Sequence, residues 1–132
     1  MRKIILAAIT VGALAAGLNI TSSAADVSVT SDSSFAQDVL SSRQPVVVDF
    51  YADWCGPCHR MAPVVDRLSA EYGGKVKFVR LNIDASPRTA QRYGITSIPT
   101  FGVFKNGRLV GGTTGDMPKQ ELAGKIDAAL TR

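Results

Sequence analysis

Val46-Val47-Val48-Asp49-Phe50-Tyr51-Ala52-Asp53-Trp54-Cys55-Gly56-Pro57-Cys58 decides how this 132-residue chain is read. Pro45 opens a short β-branched apolar run, Val46 to Tyr51, of the kind that forms a strand buried on both faces. Asp49, in the middle of that run, needs a reason for being there. Downstream, Met61, Val64, Val65, Leu68 and Tyr72 recur at helical spacing, so a helix is expected from Cys55 to Tyr72. Pro63 lies inside that pattern as a kink point, and Gly73-Gly74 closes it. Both cysteines therefore stand at a strand-to-helix junction. Val76 to Ile83 supplies the next strand. Strand, helix and strand of this length make a βαβ unit with parallel strands and a right-handed crossover.

The flanking segments extend the same pattern. Val27 to Thr30 reads as a short first strand, and Ser31 to Ser34 as a helix start ahead of Phe35, Val39 and Leu40. A short helix is expected over Arg88 to Tyr93. Thr100 to Lys105 and Leu109 to Thr113 flank Asn106-Gly107, a two-residue hairpin signal. Pro118 suits a first helical turn, and Leu122, Ile126, Ala129 and Leu130 mark an amphipathic closing helix. The order β-α-β-α-β-α-β-β-α gives an α/β fold, a single domain with a mixed central sheet and helices on both faces.

The first 25 residues read differently. Arg2 and Lys3 precede an apolar run, Ile4 to Leu18, and Ser22, Ser23, Ala24 and Ala25 follow it. Charge, short apolar stretch and small residues form the pattern of a cleavable secretory signal, with cleavage after Ala24 or Ala25. An uncleaved anchor is the rival reading, but the run rises only about 22 Å as a helix, against a hydrocarbon core of about 30 Å. The expected division is residues 1–25 as signal and 26–132 as domain, in the periplasm or another extracytoplasmic space, with no stable membrane insertion after cleavage. The domain then holds 13 basic and 11 acidic residues. No basic stripe exists, so nucleic acid is not an expected partner.

Cys55 and Cys58 are the chain's two cysteines. Spacing of i, i+3 puts both sulfurs on one side of a first helical turn, close enough to join. Unpaired N–H groups and the helix dipole there favour a thiolate on Cys55. Cys55 thus reads as an exposed nucleophile and Cys58 as the thiol that resolves a mixed disulfide. Three other readings stand beside this one. Half a zinc site has only His59 as a further soft ligand. A static structural disulfide would close almost no loop and so add little stability. Inert core thiols sit poorly at a helix start.

Taken together, Val48 to Cys58, Ala62-Pro63, Leu81-Asn82-Ile83-Asp84, Tyr93-Gly94-Ile95, Ile98-Pro99-Thr100 and Phe104-Lys105-Asn106-Gly107 resemble the thioredoxin family. The resemblance is collinear over nearly all of Val27 to Leu130. It implies the thioredoxin fold and protein thiol-disulfide exchange, with the Cys55–Cys58 disulfide as redox group and no other cofactor or metal. It implies a cis bond at Ile98-Pro99, exposing the Ile98 main chain to an extended substrate by strand addition. It makes Asp49 the buried carboxylate beneath Cys58, raised in pKa by burial and able to exchange a proton with that thiol. Trp54, Gly56, Pro57, Ile83, Ile98, Pro99 and Gly115 would form an apolar substrate-binding surface around Cys55.

Three residues depart from the family pattern. Arg80 stands where Lys is frequent, and a permanent charge would hold Asp49 ionised more firmly. Tyr51 replaces a common Trp. His59 follows Cys58 where Lys is frequent, and would tune the pair with pH when protonated; the alternative is a solvent-facing helix residue. Gly56-Pro57 resembles the reducing members, so the leading expectation is a reductase of disulfide-bearing proteins. Because the periplasm is kept oxidising, it would need a membrane-bound electron donor, and it is expected to act as a monomer. A disulfide oxidase or isomerase, and a non-catalytic binding or chaperone module using the same apolar face, are the alternatives.

Overall fold

The computed structural model describes residues 26–132, together with Gly12 and Gly17. The stretch read as an export signal otherwise lies outside the described residues. Five strands form one mixed sheet: β1 (Ser28–Thr30), β2 (Val46–Tyr51), β3 (Lys77–Asn82), β4 (Thr100–Lys105) and β5 (Arg108–Thr114). Their spatial order is β1-β3-β2-β4-β5. The central strand β2 pairs parallel with β3 and antiparallel with β4. The helices are α1 (Gly56–Tyr72), α2 (Pro87–Arg92) and α3 (Lys119–Leu130).

Alternation along β2 sends side chains to two cores, because successive residues of a strand point to opposite faces. Val46, Val48 and Phe50 pack with Phe35, Val39 and Leu81 on one face. Val47 packs with Met61, Val65 and Leu68 of α1 and Leu122 and Ile126 of α3 on the other. Asp49 shares the period of Val47 and therefore lies on the α1 face. The βα-rich sequence reading thus holds: one α/β domain with helices on both faces of a mixed sheet.

Local differences have local causes. The segment after Ser34 is a π-helical turn, Ala36–Leu40, in which Ser41 N–H donates to Ala36 O five residues back at 2.9 Å. The i, i+4, i+5 spacing of Phe35, Val39 and Leu40 suits that wider winding. Pro63 does not end α1, which continues to Tyr72 and stops at Gly73, in the left-handed region at φ 58°. At the hairpin, Asn106 and Gly107 take φ of 51° and 78°, the pair of positive values that a type I′ turn requires. The N-terminus of α2 is capped from 57 residues away: Asp32 Oδ1 accepts from Thr89 N–H at 2.8 Å and Thr89 Oγ1 at 2.7 Å. The neighbouring Ser86 instead accepts from Asp32 N–H at 3.1 Å. This exchange ties the β1 end of the chain to the helix that leads into the Ile95–Pro99 loop.

Candidate active site

Strand β2 delivers the chain to the cysteines through a tight turn, in which Cys55 N–H donates to Ala52 O at 3.1 Å. Cys55 is the N-cap of α1, with extended backbone (φ −88°, ψ 105°), and its sulfur accepts the Cys58 N–H at 3.2 Å. Cys55 and Cys58 are joined in a disulfide with an S–S distance of 2.17 Å. Gly56-Pro57 fills the first turn, where proline's missing donor is not needed.

Cys55 departs from the expectation of an exposed nucleophile: it is only 4% exposed, and Cys58 5%. The N-cap conformation folds its side chain back over the helix start, where it joins Cys58 and packs with Ala52 beneath Tyr51, Ile83 and Ile98. The two sulfurs are therefore told apart by their polar surroundings. Cys55 faces a helix N-terminal donor. Cys58 borders a cavity of about 150 Å3 shared with Asp49, Tyr51, His59, Ala62 and Arg80.

Ile83 and Ile98 pack against the disulfide. Trp54 is 71% exposed beside the disulfide. Its indole N–H donates to Asp84 Oδ2 at 2.8 Å, which fixes the ring's orientation. Ile83, just past β3, is held by its N–H to Tyr51 O at 2.9 Å. The Ile98–Pro99 peptide bond is cis. Its loop is anchored by Thr100 Oγ1 donating to Ser97 O at 2.6 Å and by Gly115 N–H donating to Pro99 O at 2.9 Å. Gly115 has φ 107°, open to glycine and strained for other residues.

Asp49 is 2% exposed, and Asp49 Oδ1 has no hydrogen-bond partner in the protein. Burial pushes its carboxyl up to about 6. The Arg80 guanidinium pulls the other way without prevailing, and Asp66 adds to the rise. Arg80 therefore does not hold Asp49 firmly ionised. Its Nε lies 3.5 Å from Asp49 Oδ2 without a hydrogen bond, while Nη2 donates to Ala62 O at 3.1 Å. Arg80 pairs in register with Asp49 across β2 and β3, with its side chain 25% exposed. His59 is exposed, and its Nε2 lies 2.6 Å from the Asp53 carbonyl oxygen.

Asp84 and Asp66 are the contributors that sequence reasoning missed. Each is a surface carboxylate whose partner is distant in the chain, 30 residues away for Asp84 and Trp54. Among the described residues, no cluster of three or more His, Cys, Asp or Glu side chains could hold a metal.

A disulfide at a helix N-terminus, a cis-proline loop against it and a buried carboxylic acid behind it define a dithiol-disulfide oxidoreductase. The thioredoxin family profile matches residues 26–128. The chain is 54% identical over 100 residues to a thioredoxin of Synechocystis sp., spanning 76% of this chain and 94% of that one. It is 49% identical over 102 residues to the chloroplastic M-type thioredoxin of Pisum sativum, spanning 77% and 59%. Against a thioredoxin of Pseudomonas aeruginosa it is 46% identical over 99 residues, spanning 75% and 92%.

This chain belongs to the thioredoxin family. It is a thiol-disulfide oxidoreductase acting on disulfide-bearing proteins, and its redox group is the Cys55–Cys58 disulfide, with no external cofactor needed.

Proposed function

We propose that this chain is an exported thioredoxin that reduces protein disulfides outside the cytoplasm and is recharged there by a membrane-bound electron donor. Export is supported by Arg2-Lys3, the apolar run Ile4 to Leu18 and the small residues up to Ala25. It is consistent with a family match that begins only at residue 26. The reductive direction rests on one observation: the ionisable group buried behind Cys58 is the acid Asp49. A carboxylate there raises the energy of a neighbouring thiolate. An oxidant needs the opposite, a stabilised reduced form.

In the reduced enzyme the Cys55 thiolate, stabilised by the Cys58 N–H, attacks a substrate disulfide. The substrate S–S bond breaks, a mixed disulfide forms at Cys55, and one substrate sulfur leaves as a thiolate. Cys58 then gives its proton to Asp49, directly or through water in the shared cavity, which is large enough to admit it. The Cys58 thiolate attacks Cys55, the second substrate thiolate departs, and the Cys55–Cys58 disulfide remains. Two electrons have passed to the substrate. Trp54, Gly56, Pro57, Ile83, Ile98, Pro99 and Gly115 dock the substrate, with the Ile98 main chain pairing to an extended segment. The enzyme works as a monomer.

Equilibration against glutathione tests the direction: the pair must hold electrons at a more reducing potential than glutathione, and an oxidising equilibrium overturns the reading. Cys58→Ser should accumulate mixed disulfides with extracytoplasmic proteins, whereas Cys55→Ser should trap none and lose turnover. Mature protein beginning near Asp26 in the extracytoplasmic fraction is expected; Met1 intact in the cytosol overturns export.

A further inference from the structure

Arg80 serves two acids. Its Nε end faces Asp49 at 3.5 Å without a hydrogen bond. Its Nη2 end is drawn toward α1, where it donates to Ala62 O at 3.1 Å and stands 3.8 Å from Asp66 Oδ1. Asp66 is a surface residue of α1, its side chain 62% exposed. The ionisable groups around Asp49 are Arg80 from β3, Tyr51 from its own strand, and Asp66, Cys58 and His59 from α1.

We propose that Asp66 is a positioning residue for the proton exchange: with the Ala62 carbonyl, it holds the Arg80 guanidinium short of hydrogen-bonding contact with Asp49, leaving that carboxyl able to take the Cys58 proton. A guanidinium fork closed on both carboxylate oxygens is the strongest arrangement for keeping a carboxylate ionised. Here the fork is not closed: Nη2 donates to α1, Nε has no hydrogen-bond partner, and Asp49 Oδ1 is left without a donor. The proposal rests on the reading of Asp49 as proton acceptor for Cys58.

The test follows the Asp49 carboxyl by carbon-13 NMR in the oxidised full-length domain, where neither cysteine titrates. Asp66→Asn should lower the Asp49 midpoint by about half a pH unit, and Asp66→Glu should leave it near the wild-type value. In an Arg80→Met background, with Arg80→Gln as second choice should the first fail to fold, Asp66→Asn should cause a much smaller shift, limited to the direct effect of its charge. An unmoved midpoint in Asp66→Asn overturns the proposal. So does an equal shift with and without Arg80, which would make Asp66 a direct field acting on Asp49. Asp49→Asn separates the underlying reading: if the pH profile of the Cys58 resolving step ignores that change, the proton-acceptor role fails, whatever the NMR result for Asp66.

Discussion

Asp49→Asn should remove a pH-dependent weakness of the fold. Burial pushes the native carboxyl up to about 6, against an ordinary value of 3.8. Each unit is worth about 1.4 kcal/mol, so the separation corresponds to roughly 3 kcal/mol. The sign follows from proton counts. Between the two values the unfolded chain has lost the proton and the native protein still holds it, so stability falls as pH rises. The contribution is fully present below about pH 4, declines up to the native value, and is lost above it. The variant lacks this titration, although its amide carries a constant burial cost of its own. The wild-type stability relative to Asp49→Asn should therefore fall by about 2.5 kcal/mol between pH 4 and pH 8. At a slope of about 3 kcal/mol/M, that is a relative midpoint change of about 1 M guanidinium chloride. Unfolding of the oxidised forms at several pH values measures it, since joined cysteines do not titrate. A difference that stays flat with pH, or grows in the opposite direction, would refute burial as the dominant influence on Asp49.

Asp84→Asn should weaken the hold on the Trp54 indole, raising KM for a protein disulfide about fivefold with little change in stability, as for the loss of about 1 kcal/mol of positioning; an unchanged KM would mean the ring needs no anchor. Gly111→Ala should destabilise the domain by about 1–3 kcal/mol in thermal unfolding, because its new Cβ would fall 2.6 Å from the Ala129 Cβ of α3. Asp32→Ala should speed amide exchange at Thr89 about tenfold while leaving β2 protected, through loss of the distant cap on α2.

Legibility in the sequence followed the range of the interaction. Val46 to Tyr51, the α1 stripe and Asn106-Gly107 were readable because burial period and turn chemistry are local properties. The site outline was readable because one contiguous segment, Val48 to Cys58, carries the strand, the anomalous acid and both thiols. What stayed hidden depends on chain crossings. Asp32 caps a helix 57 residues on, while Ser86, just before that helix, accepts from the Asp32 amide. The burial of Cys55 was also invisible, since it comes from Ile83 and Ile98, contributed by two separate loops. Arg80 was legible as a charge near Asp49, but the sequence carries no sign that Ala62 and Asp66 would take one end of it.

On the proposed mechanism, the same buried acid links stability to turnover. Replacing Asp49 by a neutral residue should stabilise the protein wherever the native carboxyl is ionised, so packing alone gives no reason to keep it. The proposed mechanism gives a reason: Asp49 shares a cavity with the thiol that must lose a proton during resolution. At neutral pH, a carboxyl titrating near 6 is mostly ionised and ready to accept, yet it releases the proton again within about a unit of pH. A fully paired carboxylate would be a poorer base, and one buried without Arg80 would remain protonated and could accept nothing. The intermediate value requires both a cation close enough to limit the effect of burial and a restraint that keeps it from closing. The 3.5 Å Nε–Oδ2 separation, with Nη2 tied to Ala62 O, supplies that combination.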